Sequence, residues 1–317
     1  MQNDTVKSAV VIALLLLSIL SAVYLALHGR FNKNYIPVPT GVSSVSNISV
    51  GLVEICGPIY APYEEAGLFK GAGLSEIIKI LSDFRKDKNI KGVILRINSP
   101  GGTIGAVQEI SAEVRRIKNS GKPVIASISD VGASGGYYIA SVCSKIIANP
   151  GTIIGSIGVI MMSTDISELM DKLGVRMEII KSGSYKDMGS FHRPYSSEER
   201  NMLHNMLKDT HRQFIETVSE GRNIPIEKVE KMAKGQVYSG NQALELKLID
   251  KLGDLQVAID VIEKATGLKN VQIVQKSFSK WHRVFKLIEG RFNITGIIKK
   301  RFSGPGYYYD SRRIIYD

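Results

Sequence analysis

Gly132-Ala133-Ser134-Gly135-Gly136 sets a serine among glycines, between a strand-like run and the apolar stretch Tyr137 to Val142. A serine so placed can stand at a helix amino terminus, where outward-pointing N–H groups favour a developing anion. The glycines permit a tight turn and close approach of a substrate. That is equipment for nucleophilic attack on a carbonyl, although Gly/Ser turns are too common for this motif alone to establish it. The same residues satisfy G-x-S-x-G, the elbow of α/β-hydrolases, which needs an acid and then a histidine later in the chain. His204 and His211 fall in a helical pattern and His282 in a basic tail. Only His192 occupies a loop-like stretch, and no HGGG-type loop accompanies it. The other recognised base for a serine is lysine. Lys186, in Lys181-Ser182-Gly183-Ser184-Tyr185-Lys186-Asp187, lies on a Gly/Ser loop after the apolar run Val175 to Ile180. A lysine amine, ordinarily protonated with a pKa of about 10.4, must be desolvated to act as a base. Taken singly, Lys186 reads as one more solvated surface lysine.

Five ordered segments, taken together, say more. Asn98-Ser99-Pro100-Gly101-Gly102, Gly132 to Tyr138 (GASGGYY), Gly155 to Val159 (GSIGV), Lys181 to Asp187, and Gly235 to Gly253 resemble the signal peptide peptidases of the Ser-Lys type, the short-form SppA family. The likeness spans about residues 47–270. It implies Ser134 as nucleophile and Lys186 as general base. It also implies Ser156 as the hydroxyl that helps hold the lysine amine, and the N–H groups of Gly102 and Gly135 as the oxyanion hole. The fold it implies is α/β, ClpP/crotonase-like, of stacked βαβ units. Neighbouring protomers of a ring-shaped homo-oligomer, such as an octamer, would supply the serine and the lysine of one site. The implied substrates are signal-peptide remnants and other hydrophobic peptides cut in or near the membrane, with the catalytic domain facing away from the cytoplasm. No metal, nucleotide or other cofactor is called for.

The roles cohere chemically. A neutral Lys186 takes the proton from Ser134 as it attacks, the two amides receive the oxyanion, and Ser156 orients an amine whose N–H bonds otherwise rotate freely. Three further readings remain: a ClpP-class membrane protease acting on other membrane proteins, a catalytically silent peptide-binding ring, and an acyl-CoA enzyme of the crotonase type, which would leave Ser134 and Lys186 without a purpose. One residue departs from the family pattern. Lys247 stands where glycine is usual at a helix end, so a local difference in that turn is expected.

The elements that must carry these residues are legible as alternating patterns. Ile48 to Ile55, Gly92 to Ile97, Pro123 to Ile128, Ile146 to Ala148 and Val175 to Ile180 are apolar strand candidates. Leu74, Ile77, Ile78, Leu81 and Phe84, and then Val107, Ile110, Val114 and Ile117, fall at helical spacing. A helical stretch covers Asp165 to Leu173. Strands alternating with helices imply crossover units and a largely parallel sheet. Ser196-Ser197-Glu198-Glu199 marks the start of a long helix towards Gly221, and Pro225 suits the first turn of another.

The 317 residues carry a net charge of +11, but residues 1–46 hold +2 of it and residues 276–317 hold +7. The middle is therefore nearly balanced, which argues against a nucleic-acid-binding face. Cys56 and Cys143 are too few for a disulfide framework and read as buried thiols. Ala9 to Leu27 is an uncharged run between Lys7 and Arg30, long enough at about 1.5 Å per residue to cross a hydrocarbon core of about 30 Å. Tyr24, Leu25 and Leu27 stand where a cleavage site needs small residues, so an uncleaved anchor is expected over a signal peptide. The expected organisation is a single-pass transmembrane anchor at 1–29, a Pro-broken linker at 30–46, a peptidase domain at 47–275 and a basic aromatic tail at 276–317. In the tail, Trp281, Val284, Phe285, Ile288 and Phe292 share one helical face, suited to a lipid surface or to packing on protein.

Overall fold

β1 (Ser49–Cys56), β2 (Ile90–Ser99) and β3 (Val124–Ala133) are rich in valine and isoleucine, whose branched side chains suit a pleated surface covered on both faces. The computed structural model describes residues 48–60 and 73–276, with the backbone of Ile314–Tyr316. Among these residues nine strands form one sheet. Helices α1 (Leu74–Lys86) and α2 (Ile104–Asn119) follow β1 and β2, and both strand pairs run parallel, as crossover connections require.

Alternation along the strands divides the core in two. On β2, Val93, Leu95 and Ile97 join the larger cluster, with Leu81 and Phe84 of α1 and Ile110 and Val114 of α2. Ile94 points the other way, into a second cluster covered by Leu255, Ala258 and Ile262 of α8 (Leu255–Thr266). Helices therefore shield both faces of the central strands.

The sheet forks at β3. Its first half pairs with β4 (Lys145–Ala148) and its second half with β5 (Ile153–Gly155), both parallel. β6 (Val237–Tyr238) closes β5 as an antiparallel neighbour, and β7 (Lys251–Leu252) extends β4. On the opposite edge β8 (Gln272–Gln275) lies parallel to β1, and β9 (Ile314–Tyr316) lies parallel to β8. The remaining helices are α3 (Gly135–Ser141), α4 (Ser167–Lys172), α5 (Ser197–Arg222), α6 (Ile226–Met232) and α7 (Gly240–Glu245).

Three expectations change. Val175 to Ile180 forms no strand: it is irregular and exposed throughout. Strand propensity acts through pairing and burial, and the second edge of β5 is already occupied by β6. Lys247 does not alter its turn but adopts glycine's conformation, at φ 62, while its carbonyl accepts hydrogen bonds from Nε (3.3 Å) and Nη2 (3.2 Å) of Arg222. Cys143 is buried, and burial pushes its thiol up to about 12, but Cys56 is exposed. It is the last residue of β1, on the face where Val50 and Leu52 join the second cluster but Cys56 does not. The expected anchor, linker and tail helix lie outside the described residues.

Candidate active site

β2, β3 and β5 end together. The register pairs Ser99 with Gly132 and Ala133 with Gly155, so the turns after all three strands emerge at one edge. The carboxyl ends of parallel strands are where open α/β sheets place their ligands. Asn98 fastens the first turn to β3: its Nδ2 donates to Asp130 Oδ2 (2.8 Å), and its Oδ1 accepts from Val131 N (3.2 Å). Ser99 Oγ accepts from Gly101 N at 3.1 Å, which folds the glycine pair back towards β3.

Ser134 leaves β3 with φ 50 and ψ −122 and caps α3. This is a backbone region that residues with a Cβ seldom visit. The strain is held from both sides. Ser134 N donates to Gly155 O (2.8 Å), and Tyr138 N donates back to Ser134 O (2.9 Å). Two tyrosines of α3 anchor the helix beyond: Tyr137 Oη donates to Leu248 O (2.8 Å), and Tyr138 Oη accepts from Thr217 Oγ1 (2.9 Å).

Gly101 and Gly102 crowd this turn. Gly101 has φ +110, and a Cβ there would lie 3.0 Å from Ser134 Oγ and 2.8 Å from Gly135 N. A Cβ on Gly135 would lie 3.2 Å from Gly102 N. The amides of Gly102 and Gly135 are thus neighbours beside the hydroxyl, and among the described residues neither has an acceptor. Two free N–H groups next to an alcohol can bind the oxygen that becomes negative when the alcohol adds to a carbonyl.

Ser156 repeats the turn one strand over. It also has φ 50, it follows the residue paired with Ala133, and its N–H donates to Gln236 O at 2.7 Å. Both serines are half-buried. The structure therefore brings Ser134, Ser156, Gly102 and Gly135 to one edge.

Lys186, among the described residues, makes no hydrogen bond to any of them. It is exposed on a turn whose backbone closes from Lys186 N to Gly183 O (3.1 Å), and among the described residues its amine has no hydrogen-bond partner. Around it lies an ion-pair chain. Arg193 Nε and Nη2 donate to Asp187 Oδ2 (3.0 Å) and Oδ1 (2.7 Å), while Nη1 and Nη2 donate to Glu199 Oε2 (2.8 Å) and Oε1 (2.6 Å). Arg193, aided by Lys181, holds the Asp187 carboxyl well below the usual range. Arg193 and the Ser196 N–H hold Glu199 at about 2. His192 meets Phe191 edge-on with ring centroids 6.1 Å apart and, among the described residues, makes no hydrogen bond to Ser134, so no serine–histidine pair forms.

Two features escape sequence reasoning. Gly101, inside the NSPGG segment, is the glycine that touches Ser134. Arg193 is one of several loop cations, with no spacing that announces its two carboxylates.

A strained serine at a strand-to-helix turn, with two free amides at its hydroxyl and a covered parallel sheet behind it, defines the class of serine hydrolases. Comparison with known proteins agrees. The profile of Peptidase family S49 matches residues 116–269. A Synechocystis protein named a "Putative protease" is 42% identical over 193 residues, 61% of this chain and 69% of that protein. An Enterococcus faecium protein named "Putative signal peptide peptidase SppA" is 34% identical over 247 residues, 77% of this chain and 72% of that protein. The chloroplastic "Serine protease SPPA" of Arabidopsis thaliana is 34% identical over 206 residues, 64% of this chain and 30% of that protein. The chain belongs to peptidase family S49 and is a serine protease.

Proposed function

We propose that this protease is a membrane-anchored endopeptidase that degrades cleaved signal peptides and other hydrophobic peptides through a Ser134–Lys186 dyad. The observation that carries the reading is the strained Ser134 turn, with the amides of Gly102 and Gly135 adjacent and, among the described residues, without acceptors. A neutral Lys186 amine accepts the Ser134 proton as Oγ bonds to the scissile carbonyl carbon. The two amides receive the oxyanion, and collapse breaks the C–N bond as Lys186 returns the proton to the departing amine. Water then frees the acyl group by the same steps, and Ser156 orients the amine.

In this reading Lys186 reaches the serine of a second copy within a ring of ClpP/crotonase-like protomers, an octamer being one such ring. What supports it is the surface around the lysine. Ile160, Met162, Leu173 and Ile180 are 80%, 87%, 69% and 96% exposed, on the stretch leading to Lys186, whose amine has no hydrogen-bond partner among the described residues. Large apolar side chains so exposed are characteristic of an interface. A partner laid over them would also exclude water from the amine, which a lysine base requires. The run Ala9 to Leu27 supports an anchor in the bilayer; the catalytic domain outside the cytoplasm is what the family resemblance implies.

The test is a digest of a hydrophobic signal peptide by detergent-solubilised wild type, Ser134→Ala and Lys186→Ala, with products read by mass. Wild type should cut within the apolar stretch and acylate with a serine-directed fluorophosphonate. Both variants should be inactive, and Ser134→Ala should not label. Full activity in either variant overturns the dyad.

A further inference from the structure

Residues 171–186 are exposed without a break, so packing cannot hold the lysine that this loop presents. Polar ties do so instead, and they come from the two side chains that flank it. Tyr185 Oη donates to Glu198 Oε2 at 2.9 Å. Asp187 accepts both inner nitrogens of the Arg193 fork, whose outer face grips Glu199. Glu198 and Glu199 belong to the first turn of α5, so both flanks of Lys186 are fastened to the same helix end.

That helix end is itself fixed. Glu199 is 2% exposed and completes a capping box, accepting from Ser196 N at 2.8 Å while Ser196 Oγ accepts from Glu199 N at 3.1 Å. Further along α5, Phe214, Ile215 and Val218 lie in the main core. A continuous line of contacts therefore runs from the core, along α5, through Arg193 to Asp187 and the residue beside it. Lys181, in the same loop, is consumed inside it, donating to Asp187 Oδ1 (2.7 Å) and Ser184 O (3.0 Å). Among the described residues the Lys186 amine has no hydrogen-bond partner.

We infer that Arg193 is the positioning residue for Lys186, holding the turn that presents the amine against the amino-terminal end of α5. This rests on Lys186 being the base. The guanidinium suits the task because its planar fork satisfies two carboxylates in fixed geometry, which a lysine ammonium cannot reproduce. Both carboxylates are held low by the same guanidinium, so the tie stays charged at neutral and alkaline pH.

The test uses the full-length, detergent-solubilised protein, with kcat and KM on a hydrophobic peptide, fluorophosphonate acylation rate, melting temperature and particle size measured together. Arg193→Gln should lower kcat and acylation by about 10²-fold, the loss expected when a reacting group is misplaced by about 1 Å. KM and particle size should be unchanged, and Arg193→Lys should recover part of the rate. If Arg193→Gln does not fold, Asp187→Asn cuts the same tie at its other end and should show the same fall in kcat. Tyr185→Phe, a milder cut at the second flank, should lower kcat several-fold. A folded Arg193→Gln or Asp187→Asn enzyme with wild-type kcat overturns the proposal. So does a rate loss that only tracks the folded fraction. Lys186→Ala, assayed in parallel, separates the two failures: if it is inactive while Arg193→Gln is fully active, only the positioning role falls. If Lys186→Ala is active, the dyad itself is wrong.

Discussion

Holding Ser134 at φ 50 and ψ −122 costs on the order of 1–3 kcal/mol, and the surrounding contacts must outweigh that cost. Gly101 is the residue that makes the geometry possible, because it occupies a left-handed conformation against Ser134 Oγ where a Cβ has no room. Gly101→Ala should therefore abolish fluorophosphonate labelling of Ser134 and lower the melting temperature. Gly105→Ala, four residues on in α2 with open space around the new methyl, should label like wild type. Equal labelling of both variants would show that Gly101 is not what shapes the turn. At this scale the motif was plain in the sequence. The identity of the contacting glycine was not, because NSPGG offers two adjacent glycines and only the fold decides which one faces the serine.

At the scale of elements, the amino-terminal end of α5 ties an acid-sensitive group to the loop it supports. Glu199 has a folded pKa of about 2, depressed by Arg193 and by the Ser196 N–H. A depressed carboxylate contributes stability above its unfolded pKa of about 4.3 and loses it as pH falls through the folded value. Glu199→Gln should thus be less stable than wild type above about pH 5, with the difference shrinking between about pH 4 and 2. Denaturant melts across that range check the sign, and a constant difference would contradict it. The strands and helices of the core were legible because their periodicities reflect burial on particular faces. Ile110 and Val114 of α2, expected on one face, are both fully buried. Val175 to Ile180 misled because Val175, Met177, Ile179 and Ile180 satisfy a strand pattern by themselves, while the edge of β5 is already taken by β6. Arg193 was invisible because a clamp joins residues through space, while sequence patterns record only spacing along the chain.

At the scale of the whole molecule, the proposed dyad spans two copies, which gives a test needing no structure. Ser134→Ala and Lys186→Ala, each inactive alone, should regain part of the activity when dissociated and reassembled together, since some sites would then combine an intact serine with an intact lysine. Mixtures that stay inactive would place both residues of each site in one chain. The paired turns after β3 and β5 carry a further consequence. Ser134 and Ser156 leave adjacent strands at matched positions, so their separation follows from the strand spacing of about 4.8 Å and not from the loops around them. Loop sequences can then drift, lengthen or change specificity over generations without disturbing the two hydroxyls. Only a slip of β5 against β3 could part them, and such a slip moves in steps of a residue, turning each side chain to the opposite face. Inheritance of this site is in that sense digital: its spacing is kept whole or lost whole.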